Sequence, residues 1–146
     1  MSDYTHILLA IDLSTDSPQV CQKARSLAQF YGAKISIIHV VEPLSFTYGS
    51  DIPLDFSDIQ QDLMNQAKHQ LQEIASNIGI DDESCHLTLG RPETEIHNLA
   101  AAINADLIVV GSHGRHGLAL IFGSTANGVL HGAGCDVLAV RVEESE

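Results

Sequence analysis

Apolar residues along this chain fall into short continuous runs separated by longer stretches with helical spacing. The runs predict five strands, at 7–11, 34–41, 84–89, 105–110 and 136–140. A short apolar run bounded by polar residues is typical of a strand that is covered on both faces. The run at 84–89 alternates only loosely, so we expect it at an edge of the sheet.

Between the first three strands, apolar residues recur every three or four positions, as in amphipathic helices. The first helix is predicted from capping residues at 14–18 to Tyr31, where Gly32 ends it. The second covers 57–78, and Gly79 ends it. Its predicted apolar stripe consists of Ile59, Leu63, Ala67, Leu71, Ile74 and Ile78.

Two further helices complete the alternation of strands and helices. One starts near Gly90–Pro92 and buries a stripe that begins at Ile96, and the other covers 124–131. Residues 42–55 contain two prolines and little periodicity, which predicts a long surface loop, and whether it is a lid stays open. Strands that alternate with helices throughout predict one α/β domain over residues 1–146, an open parallel sheet with helices on both faces.

Composition and charge narrow the possible partners. The chain has 146 residues and a formal net charge of −12, which argues against binding to nucleic acids or anionic membranes. A small anionic ligand is not excluded, because nearby glycine amides and one arginine outweigh distant, screened carboxylates. Three cysteines without paired or metal-like spacing, no secretion signal and no membrane-length apolar stretch predict a cytoplasmic protein.

Three predicted strands end in residues suited to a ligand. Asp12, Val41 and Gly111 follow or close these strands, and ligands of such folds bind at the carboxyl ends where the winding direction reverses. Asp12 could accept a hydrogen bond from a ribose or help to hold Mg²⁺ on a phosphate chain, or it could simply begin a turn. Val41 could contact a base, or it could be an ordinary strand end.

The segment after the fourth strand is the most specific motif in the chain. Gly111-Ser-His-Gly114 is followed, after eight residues, by Gly123 and Ser124. Glycines let the backbone approach phosphates, and a helix N-terminus offers N–H groups to them. The alternative is a turn in which Ser124 only caps its own helix. The motif is neither a P-loop nor the dinucleotide fingerprint, since no Gly-Lys follows and it comes after the fourth strand.

Basic side chains lie within this same loop. Arg115 is the expected phosphate partner, because its donors are always charged and forked. His113 and His116 lack a third ligand of suitable spacing, so a metal site is not predicted there. No catalytic arrangement of side chains can be assigned, so any hydrolysis is expected to be slow and enzyme activity is left open.

Residues along the whole chain resemble the universal stress protein family. The resemblance rests on Ile7-Leu-Leu-Ala-Ile-Asp12, on Ile38-His-Val-Val41, and on the segment from Gly111 to Arg141. It implies a Rossmann-like, adenine-nucleotide-binding-like fold with strand order 3-2-1-4-5. It also implies a cytoplasmic role in stress survival and a homodimer that pairs through the last strand, Val137 to Val142.

The resemblance also implies roles for individual residues. Members of this family that bind ATP carry glycine, two residues, glycine, nine residues, glycine and then serine or threonine. On that pattern Asp12 would contact the ribose or a metal, Val41 the adenine and Gly111 the ribose. The remaining motif residues would contact the phosphates: Gly114, Gly123, Ser124 and Thr125.

This chain departs from the family pattern by one residue, since eight rather than nine separate the second and third glycines. Gly128 also lies within the short last helix, where glycine costs about 1 kcal/mol relative to alanine, so we expect a less rigid helix. The sequence therefore supports two hypotheses: a dimer that binds ATP or AMP, with Mg²⁺ on the nucleotide, or a dimeric interaction module without nucleotide. No motif in the sequence identifies the protein partners of this chain or the stress that would induce it.

Overall fold

Alternating strands and helices build the fold in a computed structural model, which describes residues 4–13, 17–44, 57–111 and 124–141. The strands are β1 His6–Ala10, β2 Lys34–Val41, β3 Cys85–Leu89, β4 Leu107–Gly111 and β5 Asp136–Val140. The helices are α1 Ser17–Tyr31, α2 Ser57–Asn77, α3 Pro92–Ala102 and α4 Ser124–Leu130, and a 3-10 turn covers Asp82–Ser84.

All paired strands are parallel, and their order is β3-β2-β1-β4-β5. The predicted fold class and strand order are therefore confirmed, as is the position of β3 at an edge. β2 and β5 have the predicted bounds. β1 is shifted by one residue to 6–10. β4 is shifted to 107–111, and Ala105 before it still bonds back to Ala100 of α3.

Each face of the sheet is covered by a pair of helices. On one face α1 and α2 bury side chains against alternate strand positions, which include Ile7, Leu9, Ile37, Leu107 and Val109. On the other face α3 and α4 cover the intervening positions, which include Leu8, Ile38, Val40, Ile108 and Val110. This alternation explains the continuous apolar runs in the sequence, since both faces of each central strand are buried.

The apolar stripe of α2 is only partly buried, which differs from the sequence prediction. Ala67 and Leu71 are buried, but Ile59 and Leu63 are 50% and 38% exposed. A helix of 21 residues is about 31 Å long, whereas a five-residue strand such as β3 spans about 17 Å. The N-terminal turns of α2 therefore extend past the sheet. None of the described helices is long and apolar enough to cross a membrane.

Gly128 lies where α4 packs closely against α3. A Cβ atom at this position would be 2.9 Å from Cβ of Glu93 on α3, closer than two such atoms can pack. His97 of α3 also bonds to the Val129 carbonyl through Nε2 at 2.9 Å. Gly128 is therefore explained by the close approach of two helices, which no local pattern in the sequence indicates.

Candidate functional site

The carboxyl ends of β1, β2 and β4 lie side by side at one edge of the sheet. β1 is the central strand, with Ala10 opposite Ile38 of β2 and Leu9 opposite Val109 of β4. Continued by two residues, this register brings Asp12 level with the end of β2 and Ile11 level with Gly111. The winding direction reverses between β1 and β4, so the edge has the topology of a ligand site.

Asp12 lies two residues after the end of β1 and is exposed. Its Oδ1 atom is 3.5 Å from the hydroxyl of Ser17, the buried first residue of α1. A carboxylate at this end of a helix is favoured by the helix dipole. The next residue, Leu13, has φ +61°, a conformation that costs a non-glycine residue about 1–2 kcal/mol. Asp12 is therefore held at the switch point by a strained turn.

His39 fixes the end of β1 from the neighbouring strand. Its Nδ1–H donates to the Ile11 carbonyl at 2.8 Å, and the Ile11 amide donates to the Ile38 carbonyl at 3.1 Å. His39 therefore has a structural role as a hydrogen-bonded side chain within β2. Because both bonds involve the residue before Asp12, they help to position that carboxylate.

Val41 is the last residue of β2 and is half-buried. Its carbonyl accepts a hydrogen bond from the Gly90 amide at 3.0 Å, so only the second lone pair of that oxygen remains for a ligand. Three residues further on, the Leu44 amide donates to the side chain of Gln60 at 2.8 Å. The chain after Val41 is thus tied to the first turn of α2.

The glycine motif is described only at its two ends. Gly111 closes β4, is half-buried and lies opposite Val140. The predicted phosphate contacts Gly114, Arg115 and Gly123 lie outside the described residues. Ser124 and Thr125 form the first turn of α4, which has only seven residues. Any phosphate binding there depends on the individual backbone N–H groups more than on a helix dipole.

The described residues contain no group of three or more His, Cys, Asp or Glu side chains that could hold a metal ion. Magnesium at this edge would therefore have Asp12 as its protein ligand and would take the others from nucleotide phosphates and water. That donor set is usual for Mg²⁺ bound with a nucleotide. The Asp12 carboxylate is of the chemical type that would suit a magnesium ion brought by a nucleotide.

The three thiols show no sign of activation. Burial raises the pKa of Cys21 to about 11. Burial also raises the pKa of Cys135, with a further contribution from Asp136 and Asp106. Burial, with a contribution from Asp82, likewise raises the pKa of Cys85, so each thiol stays protonated at neutral pH.

Polar side chains at the opposite, amino-terminal edge have a structural role that the sequence prediction missed. Asp106 accepts hydrogen bonds from the Thr5 amide (2.8 Å), the Thr5 hydroxyl (2.9 Å) and the His6 amide (3.1 Å). His6 in turn contacts Ser36 through Nε2 at 2.7 Å. The Asp106 contacts link residues 100 or 101 positions apart and the His6–Ser36 contact links residues 30 positions apart, so no spacing in the sequence could show them.

A cleft of about 370 Å³ lies beside β5, lined by Tyr4, Leu27, Tyr31, Leu107, Asp136, Val137 and Leu138. The Tyr4 hydroxyl donates to Asp136 at 2.8 Å, and the rings of Tyr4 and Tyr31 meet edge to face. Because Leu107 and Asp136 begin their strands, the cleft is at the opposite edge from Asp12. It does not belong to the candidate nucleotide site.

The sequence of this chain matches a known protein family. The model of the universal stress protein family matches residues 3–141. The chain belongs to the universal stress protein family. It is 43% identical to universal stress protein A homolog 2 of Coxiella burnetii over 148 residues, which cover 99% of this chain and 100% of that protein.

Solved structures of universal stress proteins share this fold. The universal stress protein UspA from Lactobacillus plantarum has a TM-score of 0.77 and 21% identity, covering 98% of this chain and 100% of its own. A universal stress protein in complex with cAMP has a TM-score of 0.70 and 24% identity, covering 97% of this chain and 100% of its own. At these identities the likeness establishes the fold alone.

Proposed function

We propose that this universal stress protein binds an adenine nucleotide, ATP or AMP, at the carboxyl edge of β1, β2 and β4, and acts as a dimer in the stress response. The observation that carries the proposal is the juxtaposition of Asp12 and Gly111 at the switch point between β1 and β4. A solved universal stress protein with the same fold is in complex with cAMP, which adds support.

Each residue has a proposed task set by its place on the edge. Asp12 accepts a hydrogen bond from a ribose hydroxyl or holds Mg²⁺ that the nucleotide brings. Gly111 lets the backbone approach the ribose without a Cβ atom, and Val41 lies against the adenine. The phosphates are proposed to contact the remaining motif residues: Gly114, Arg115, Gly123, Ser124 and Thr125.

The proposed activity is binding, with slow hydrolysis at most. Asp12 is the acidic residue placed at the switch point, and its proposed contacts are the ribose and the metal. The sequence shows no arrangement of side chains that would supply a catalytic base. On this proposal the protein acts in the stress response by associating with other proteins in a nucleotide-dependent way.

The proposed dimer pairs through β5, a strand at the edge of the sheet. Val137, Leu138 and Ala139 of this strand are only half-buried, and an unpaired strand edge offers N–H and C=O groups to a second strand. Pairing two copies there would cover both the apolar side chains and the free backbone groups. Val142, the last residue of the proposed interface, lies outside the described residues.

Equilibrium dialysis of the full chain with labelled ATP and Mg²⁺ tests the nucleotide site. We expect saturable binding of one ATP per chain, and an Asp12→Ala variant with about tenfold weaker binding, since a hydrogen bond to a charged group contributes about 1.5–3 kcal/mol. Asp82→Ala, which removes an exposed carboxylate before β3, should bind like the wild type. Equal affinity of Asp12→Ala and the wild type would place the nucleotide elsewhere.

A second candidate is a dimeric interaction module that binds no nucleotide. It is favoured by the loop that is one residue short and by the 43% identical relative, whose name refers to universal stress protein A. The family resemblance implies two classes of member, one that binds ATP and one that does not. Proteins that resemble universal stress protein A belong to the class that does not bind ATP. Native mass spectrometry separates the candidates, because co-purified nucleotide supports binding and its persistent absence in excess ATP supports the module.

A further inference from the structure

The backbone that leads into Asp12 is held at two successive peptide groups. The Ile11 amide belongs to the first and donates to the Ile38 carbonyl at 3.1 Å. The Ile11 carbonyl belongs to the second and accepts from Nδ1 of His39 at 2.8 Å. The second peptide group also contains the Asp12 nitrogen and is planar. The hydrogen bond from His39 therefore fixes the plane that ends at the Cα atom of Asp12.

The residue after Asp12 is held as well. Leu13 has φ +61°, in the left-handed region that residues with a side chain rarely adopt. Such a conformation persists only where its surroundings impose it, and it is frequent at active sites and ligand-binding sites. Leu13 packs against the core cluster on the face of the sheet that α1 and α2 cover. Asp12 thus has a constrained backbone on both sides, although its side chain is exposed.

The hydrogen bond from His39 lies in a partly buried environment. Ile11 is 8% exposed, and His39 is half-buried in β2. Hydrogen bonds in such an environment are stronger than at the surface, because the local dielectric constant is lower. Of the two hydrogen bonds made by Ile11, this one comes from a side chain. A substitution can therefore remove it and leave the backbone hydrogen bonds between β1 and β2 in place.

We propose that His39 is a positioning residue of the nucleotide site, which holds Asp12 in place for a ribose hydroxyl or Mg²⁺ before the ligand binds. The inference rests on the proposed function, since it assumes a nucleotide at this edge. Without the bond from His39, the turn gains alternative arrangements. Binding must then select one of them, which lowers the apparent affinity. His39 acts through the backbone of Asp12 and not by contact with the nucleotide.

His39→Leu in the full chain removes the donor. We expect ATP with Mg²⁺ to bind about three- to tenfold more weakly in isothermal titration calorimetry, the range that one such hydrogen bond supplies. His39→Asn should bind ATP like the wild type, because its amide nitrogen is as many bonds from the backbone as Nδ1. His86→Leu makes the same change at a half-buried histidine of β3 and should leave the ATP affinity unchanged.

A double-mutant cycle separates positioning from a general effect on the fold. In an Asp12→Ala background, His39→Leu should cause no further loss of ATP affinity, because the carboxylate that His39 positions is then absent. An equal loss in both backgrounds overturns the positioning role and leaves nucleotide binding intact. Equal ATP affinity of His39→Leu and the wild type, or failure of His39→Asn to restore binding, does the same.

Thermal unfolding of each variant checks the fold. If His39→Leu does not fold, His39→Gln replaces it in the cycle, because its amide nitrogen lies one bond farther from the backbone than Nδ1. His39→Gln should then bind ATP as weakly as is expected of His39→Leu. A wild-type protein that binds no ATP overturns both this inference and the proposed function.

Discussion

Asp12 and Asp106 are two aspartates at opposite edges of the sheet with different surroundings. Burial tends to raise the pKa of Asp106, but hydrogen bonds from the Thr5 and His6 amides and the Thr5 hydroxyl outweigh it and lower the pKa. Asp12 is exposed at a strained turn and has a long contact with Ser17. The Asp106 carboxylate therefore stabilises the fold, whereas the exposed Asp12 carboxylate lies at the edge where the ligand is proposed to bind.

Asp106→Asn should lower the free energy of unfolding by about 1–2 kcal/mol at pH 7, since an amide cannot accept all three hydrogen bonds. The pKa of Asp106 is depressed in the folded state, so its contribution is present above the unfolded pKa and is lost as pH falls through the folded pKa. Urea unfolding from pH 7 to pH 3 should show a difference between wild type and variant that shrinks below about pH 4.

Asp62→Asn, an exposed change on α2, serves as the control for this measurement and should leave both the free energy of unfolding and its pH dependence unchanged. A constant difference between Asp106→Asn and the wild type across the whole pH range would contradict the assignment, because it would show that ionisation of Asp106 does not stabilise the fold.

Among the elements, α3 and α4 show how helix packing can override local propensity. Glycine within a seven-residue helix is unfavourable on its own, which is why the sequence predicts a less rigid last helix. The 2.9 Å separation between a hypothetical Gly128 Cβ and Glu93 Cβ supplies the tertiary reason for this residue. The position of α4, and with it the start of the proposed phosphate site, depends on that contact.

Gly128→Ala should lower the free energy of unfolding by about 1–2 kcal/mol, because the cost of overpacking exceeds the gain of about 1 kcal/mol in helix propensity. Thermal unfolding monitored by circular dichroism measures the change. Asn127→Ala, at an exposed neighbour on the same helix, should be neutral or slightly stabilising. If Gly128→Ala proved as stabilising as Asn127→Ala, the two helices would not be in close contact.

The sequence predicts elements well where the local pattern decides the structure. β2 and β5 have their predicted bounds, and Gly32 and Gly79 end their helices with φ values of +67° and +76°, as a helix stop requires. Contacts between distant segments could not be predicted in this way. The roles of Asp106 and Gly128 depend on residues from other elements, and the exposure of Ile59 depends on the length of α2 relative to β3.

For the candidate site, the sequence placed Asp12, Val41 and Gly111 at strand ends, and the structure brings these three ends to one edge. It could not show that the Val41 carbonyl is already bonded to Gly90. The functional roles of all the predicted site residues stay predictions: Asp12, Val41, Gly111, Gly114, Arg115, Gly123, Ser124 and Thr125.

At the scale of the whole molecule, the net charge of −12 opposes dimerisation, whereas the edge strand β5 favours it. Like charges on two copies repel, so a dimer must gain enough from pairing its strands and covering the half-buried residues of β5. Salt screens this repulsion. We therefore expect dimerisation to strengthen as ionic strength rises.

Sedimentation equilibrium should give a mass twice that of the 15.7 kDa chain. Val137→Lys places a charge in the proposed interface and should shift the protein towards the monomer. Phe30, which is 80% exposed on α1, offers a matched test, and Phe30→Lys should leave the dimer intact. Dissociation by Phe30→Lys but not by Val137→Lys would move the interface from β5 to α1.

The most direct test of the central claim is a crystal structure of the full chain grown with ATP and Mg²⁺. The account predicts nucleotide at the carboxyl edge of β1, β2 and β4, with its ribose at Asp12 and Gly111 and its base against Val41. An empty edge at saturating ATP, or a nucleotide bound elsewhere, such as in the cleft beside β5, would contradict it.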